Sequence, residues 1–253
     1  MLNEKYIKEL ISVPAEITLL KIADSTNTIL KEEAKTAPHP HRVIIAEKQT
    51  LGRGRLGRSF HSPSQSGIYM SLLAKPEKED IGLLTAFTAV AVCNALEKVS
   101  REKFGIKWVN DIYKNGKKVC GILAEAGATE GELKYVIVGI GINVYAPEDG
   151  FPKDIENIAG SVFNHPNPDE NSEDLRNRII SEIINNFYSY TPDFVSEYIK
   201  KSCVIGKNIT VHQGNSAKKA FVLDIDHSCR LIVKYENGDT DYLSFGEISI
   251  RLD

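Results

Sequence analysis

The chain has 253 residues, of which 42% are apolar and 26% charged, with a formal net charge of −3. Those values exclude intrinsic disorder, collagen-like repeats and disulfide-dense scaffolds, and they leave no global basic field for nucleic acid. Anion chemistry must therefore come from a local cluster. The length predicts one large domain, or a large one with a small companion.

The four cysteines, Cys93, Cys120, Cys203 and Cys229, are scattered and have no histidine at ligand spacing, so no zinc or other protein-held metal site is expected. Reduced, dispersed cysteines fit a cytoplasmic protein. Residues 1–6 are polar and open no signal peptide, and no unbroken apolar stretch reaches the length of a membrane span.

In chain order, residues 17–23 read as a strand. Asp24, Ser25 and Thr26 then supply cap oxygens to a helix running to about Thr36, and the run Ala37-Pro38-His39-Pro40-His41 breaks it. Residues 43–46 form a short buried strand, 51–58 a Gly/Arg loop without periodicity, and 68–73 a second strand closed by Pro76. From Asp80 to Val99 apolar residues recur at helical spacing, with Leu84, Phe87, Ala91, Ala95 and Val99 on one face. Two strands joined at Asn115-Gly116 follow, the strongest short hairpin signal available to a sequence. Residues 135–144 form another strand. Residues 145–172, rich in Pro, Asn and Asp, read as a long surface connection. Leu175, Ile179, Ile183, Phe187 and Tyr190 mark a second amphipathic helix. Beyond Cys203, short strands at 209–211, 220–225, 231–235 and 247–251 alternate with turns at 213–215 and 236–239, the texture of a small β-barrel. The boundary is placed at Gly206, giving domains 1–205 and 206–253.

Three segments carry chemistry. In Gly52-Arg53-Gly54-Arg55-Leu56-Gly57-Arg58, glycines allow close backbone approach and arginines fork onto carboxylate or phosphate. By itself this loop is equally a solvated or RNA-contacting segment. Lys107-Trp108-Val109-Asn110-Asp111, with Lys118 and Gly121 downstream, brings together a cation, an aromatic plate, an amide and a carboxylate. A strand end with a core Trp108 explains that pattern as readily. Ser25-Thr26-Asn27 caps a helix, a role compatible with binding a polar ligand there. Gly139-Ile140-Gly141-Ile142-Asn143 lacks the third glycine of a dinucleotide fingerprint, and the six histidines show no catalytic spacing.

Taken in register, these segments resemble the biotin protein ligases. The matching blocks are Ser25-Thr26-Asn27; the run from Glu47 to Arg58; Ser62-Pro63; Gly67 to Leu72; Lys107 to Asp111; Lys118 to Leu123; and Gly139 to Val144. The resemblance implies an α+β fold: a class II synthetase-like catalytic domain with a mixed β-sheet and flanking helices, followed by a small C-terminal SH3-like β-barrel. It implies ATP-dependent activation of biotin to biotinyl-5′-AMP, with Mg²⁺, and transfer to a lysine of a biotin carboxyl carrier domain in a carboxylase or decarboxylase. Biotin would meet Ser25, Thr26, Asn27, Gln49, Gly52, Arg53, Gly54, Arg55, Lys118 and Gly121. The nucleotide would meet Arg53, Arg55, Arg58, Trp108, Asn110, Lys118 and Asn143. Lys118, as main charge stabiliser, Arg55 and Asp111 would carry the catalysis.

The family usually has Pro where Val109 stands, and the loss of its fixed φ is expected to loosen the turn before Asn110. Bifunctional members carry an N-terminal helix-turn-helix domain. Only 24 residues precede Ser25 here, so no specific DNA binding is expected. Relatives often dimerise through the sheet, and the oligomeric state is left open. Three rivals stand beside this reading: a lipoate or octanoate ligase of similar fold, a nucleic-acid-binding module using the Arg/Gly loop, and a catalytically silent biotin sensor. The Gly/Arg loop with the Lys-Trp-x-Asn-Asp block favours biotin over lipoate. The net charge argues against the second rival, and Lys118 with Arg55 against the third.

Overall fold

The computed structural model describes residues 1–36, 39–74, 81–129, 132–164, 172–189, 193–214, 216–244 and 248–252. Ala37, Pro38, Pro76, Asp80, Tyr190, Asn215 and Glu247, which entered the sequence reading, lie outside them.

A seven-stranded mixed sheet organises the first two-thirds of the chain. Its strands are β1 (Glu16–Leu20), β2 (Arg42–Ala46), β3 (Gly67–Ala74), β4 (Gly105–Lys107), β5 (Asp111–Lys114), β6 (Lys117–Thr129) and β7 (Glu132–Asn143). They lie in the order β1-β2-β3-β7-β6-β5-β4. Only β1 and β2 run parallel, because α2 (Thr26–Thr36) connects them as a crossover. The β5–β6 hairpin turns at Asn115 (φ 50°) and Gly116 (φ 76°), the left-handed pair that the Asn-Gly dipeptide predicts.

The sheet is covered on both faces, which is why its central strands read as nearly continuous apolar runs. On one face Val43, Ile45, Met70, Leu72, Val138, Ile140 and Ile142 join the main core. The helices there are α3 (Ile81–Ser100), α4 (Ser172–Tyr188) and α5 (Phe194–Lys201). α3 is long and apolar enough to cross a membrane, yet 67% of that apolar window is buried inside the protein, as in a core helix. On the other face α2 lays Leu30 and Ala34 on Ile44, Leu73, Tyr135 and Ile137.

Two short helices escape the sequence reading. α1 (Glu4–Leu10) starts at Asn3, whose side chain accepts from Tyr6 N, and buries Ile7 beside α4. α5 has eight residues, too few for an unambiguous period. A buried ion pair ties these parts together. Arg176 of α4 donates to Glu47 Oε2 at 3.0 Å and to the Gly67 carbonyl at 3.2 Å, and Leu2 N also contacts Glu47.

The C-terminal strands β8 (Asn208–Gln213), β9 (Ser216–Ile225), β10 (Leu231–Tyr235), β11 (Thr240–Leu243) and β12 (Ile248–Leu252) form one antiparallel sheet. Its order is β11-β10-β9-β8-β12. The expected small β domain is there, with β11 added. Among the described residues the five strands form one sheet, and no ladder between its edge strands β11 and β12 is among those described. Its apolar side chains belong to the same cluster as the main core.

Candidate active site

Beyond the N-terminus of α2 the second face of the sheet loses its side chains. Gly139 and Gly141 of β7 and Gly121 of β6 form a bare floor. A Cβ at Gly141 would stand 2.6 Å from the Phe60 ring, and one at Gly121 3.1 Å from Lys118 Nζ. Over this floor opens a cavity of about 790 Å³, within the range that holds small-molecule ligands.

One wall is the start of α2 with the segment after β2. Gln49 Oε1 accepts from Thr26 N at 2.8 Å and from Thr26 Oγ1 at 3.1 Å, and Gln49 Nε2 donates to Ser62 Oγ at 3.2 Å. Ser25, Thr26 and Gln49 line the cavity. Asn27 does not, because its amide is engaged behind the wall: Nδ2 donates to Glu125 at 2.9 Å and Oδ1 accepts from Ser71 Oγ at 2.6 Å.

The Gly/Arg loop is the lid-like wall. Phe60 N donates to the Gly52 carbonyl and Gly54 N to the Arg58 carbonyl, closing a ribbon whose tip is a 3₁₀ turn, Arg55–Gly57. Gly52 is required there, since a Cβ would stand 2.4 Å from the Phe60 carbonyl oxygen. It shapes the loop without lining the cavity, whereas Arg53, Gly54, Arg55 and Arg58 do line it. The arginines divide. Arg55 Nη1 donates to Asn110 Oδ1 at 3.0 Å, while Arg53 Nη2 lies 3.1 Å from Glu125 Oε1. Burial lowers the Arg55 pKa from its usual value, with the Asp111 charge opposing.

Lys118 reaches the cavity through a β-bulge. Ile112 pairs with Cys120 but Tyr113 pairs with Lys118, so Val119 is an extra residue in β6. Without it Lys118 would share the core-facing side with Cys120. With it Lys118 stands beside Gly121 on the open face, 2.7 Å from Asp111 Oδ1 in an ion pair not aligned as a hydrogen bond. Asn110 fixes the strand on the other side, its Nδ2 donating to the Ile122 carbonyl at 2.8 Å.

Trp108 borders the cavity but is nearly fully buried, and its indole N–H donates to the Cys229 carbonyl at 2.9 Å. Val109 is also buried, and its carbonyl accepts from the Tyr198 hydroxyl at 3.1 Å. Ile250 of β12 also lines the cavity, so the C-terminal sheet contributes to the site.

The remaining wall is a surprise. Residues 145–164 do not simply run over the surface. Lys118 N donates to Ile158 O, Gly160 N to Lys118 O, Val162 N to Asn143 O, and Asn143 Nδ2 to Gly160 O. Ile155, Ile158 and Ala159 thereby enter the lining. Phe60 and His61 line it as well, and no motif pointed to any of these five.

A mixed sheet covered by helices on both faces and opening into a cationic, glycine-floored cavity defines the class, and comparison places the chain within it. Residues 19–143 match the model of the biotin/lipoate A/B protein ligase family, and residues 204–251 match that of the biotin protein ligase C terminal domain. The biotin--[acetyl-CoA-carboxylase] ligase of Mycobacterium tuberculosis is 30% identical over 236 residues, 88% of this chain and 85% of that one. The chain belongs to the biotin protein ligase family. It is also 41% identical over 143 residues to the bifunctional ligase/repressor BirA of Bacillus spizizenii, across 56% of this chain but only 44% of that protein. A biotin protein ligase from Aquifex aeolicus, solved in complex with biotin and ATP, superposes with a TM-score of 0.78. That match has 28% identity and covers 94% of this chain and 99% of the other.

Proposed function

We propose that the protein is an ATP-dependent biotin protein ligase, which forms biotinyl-5′-AMP and passes biotin to a lysine of a biotin carboxyl carrier domain. The observation that carries this reading is the shared cavity. It joins a hydrogen-bonding wall, Ser25, Thr26 and Gln49, to a cationic corner, Arg55, Lys118 and Arg58, over a glycine floor.

In the first step a carboxylate oxygen of biotin attacks the α-phosphorus of ATP, and the bond to the pyrophosphate oxygen breaks. Two anions must approach, so barrier lowering is chiefly electrostatic and positional. Lys118 suits that task. It extends from a strand, its backbone N–H and C=O are both bonded to residues 158–160, and Asp111 fixes its ammonium group. Arg55 adds a second cation, steadied by Asn110. In the second step the acceptor amine attacks the acyl carbon, the bond to AMP breaks, and the proton leaves with the released products. No nucleophile from the protein is required.

No group of three or more metal-ligating side chains occurs among the described residues. We infer that Mg²⁺ arrives on the phosphates and that the Asp111 carboxylate, whose Oδ1 is buried and makes no hydrogen bond, would hold it or its water; bound there, it would supply charge neutralisation. We also infer the domain division 1–205 and 206–253, supported by the two separate sheets. A cytoplasmic location is supported by four cysteines without a disulfide.

Exchange of labelled pyrophosphate into ATP tests the reading. Exchange dependent on biotin supports it. Exchange dependent on lipoate favours the lipoate ligase, and no exchange with either acid overturns the ligase reading.

A further inference from the structure

Glu125, on β6, has no role in the chemistry above, yet it is the carboxylate on which two walls of the cavity meet. Its side chain is only 15% exposed. One oxygen accepts from Asn27 Nδ2 at 2.9 Å, and the other lies 3.1 Å from Arg53 Nη2 and 4.0 Å from Lys31 Nζ. The first contact belongs to the helix that bears the hydrogen-bonding wall, the second to the Gly/Arg loop.

A carboxylate can only accept, so Glu125 fixes the sense of the Asn27 amide. With Nδ2 toward Glu125, Oδ1 must face Ser71 Oγ, which is also 2.7 Å from Thr26 Oγ1. Thr26 in turn contacts Gln49 Oε1, and both of these residues face the cavity. The relay is buried, where a wrongly oriented amide costs far more than in water. At the other oxygen, the ion pair holds Arg53 to β6 instead of leaving it to turn to the phosphate corner with Arg55. Without Glu125, Arg53 and Lys31 would face each other as like charges.

We propose that Glu125 is a positioning residue for the acid substrate. It sets the sense of the Asn27 amide, and through it the Ser71 hydroxyl that stands against Thr26 behind the hydrogen-bonding wall, and it latches the Gly/Arg loop over the same pocket. This rests on the ligase reading, and it assigns Glu125 to the acid subsite rather than to the ATP subsite.

The test uses the full chain, with wild type measured first for biotin binding by calorimetry and for biotin-dependent pyrophosphate exchange. Glu125→Ala removes both contacts and should raise Kd and KM for biotin by about tenfold or more, the loss of a buried charged hydrogen bond, with KM for ATP nearly unchanged. Glu125→Gln is nearly isosteric and keeps an oxygen for Asn27 but loses the ion pair, so it should give a smaller rise in the same constant. If Glu125→Ala does not fold, Glu125→Gln and Arg53→Gln carry the test. These two should each raise KM for biotin, and their double variant should be no worse than the more affected single one. A purely structural role would lower kcat or move both KM values together, and that result would overturn the proposal. So would folded variants with wild-type KM for biotin. If wild type itself neither binds biotin nor supports exchange, the ligase reading fails first and the proposal with it.

Discussion

Replacing Gly139 by alanine puts a Cβ 2.2 Å from Asn27 Oδ1, 2.8 Å from its Cγ and 2.9 Å from its Nδ2. None of these separations is tolerable, so either the strand or the amide must move. The amide is not a loose side-chain end. Asn27 is buried, and Ser71 and Glu125 engage both of its polar ends. Overpacking a well-filled site costs about 1–3 kcal/mol. Losing a hydrogen bond to a charged group adds about 1.5–3 kcal/mol. The two together set an expected loss of roughly 2.5–6 kcal/mol, at roughly 2–4 °C of Tm per kcal/mol for a chain of this size. Urea denaturation measures the loss, and calorimetry with biotin should show weakened binding in the protein that remains folded. A double-mutant cycle isolates the cause. In an Asn27→Ala background the clashing atoms are gone, so adding Gly139→Ala should cost less than about 1 kcal/mol. If Gly139→Ala were as stable as wild type, or cost as much without the Asn27 amide as with it, the argument that Asn27 is pinned against the glycine floor would be wrong.

Three other outcomes are expected. Lys118→Ala should slow adenylate formation about 100-fold or more, ~3 kcal/mol of barrier, while leaving the melting curve near wild type; pyrophosphate release at the normal rate would contradict its assigned role. Arg55→Gly removes the bond to Asn110 and the loop's grip on a phosphate, so bound adenylate should dissociate about tenfold faster and biotin should appear on bystander lysines. The third concerns Glu97 of α3, which is 2.8 Å from Lys201 of α5. Burial acts to raise its pKa, but the Lys201 hydrogen bond and charge outweigh it, so the folded-state pKa is lowered. A lowered pKa contributes stability above the unfolded value near 4.5 that is lost as pH falls through the folded value. Glu97→Gln should therefore cost about 1 kcal/mol at neutral pH and progressively less in acid, read by denaturation at several pH values.

What could be read from the residues follows from where the signal was stored. α2, α3 and the buried part of α4 carry full helical periods, and Asn115-Gly116 demands its turn, so these were legible. α1 and α5 span only 7 and 8 residues, and β11 only 4, too short to show a period. The site blocks at 25–27, 47–58, 107–111 and 118–123 were legible as sequence, and the cavity brings most of them together. Their division of labour was not. The bulge at Val119 that aims Lys118 is a matter of strand register, the engagement of Asn27 with Glu125 links residues 98 apart, and residues 145–164 take their order from bonds to β6 and β7. A proline- and asparagine-rich stretch looks the same whether it wanders over a surface or closes a pocket.

The central claim is that this cavity activates biotin and delivers it to one lysine. Mass spectrometry of a biotin carboxyl carrier domain incubated with the protein, biotin and MgATP tests it directly. The expected result is the addition of one biotinyl group at a single lysine, dependent on ATP and slowed about 100-fold or more by Lys118→Ala. An unmodified carrier domain under conditions where a known biotin protein ligase modifies it fully, or modification by lipoate in preference to biotin, would contradict it.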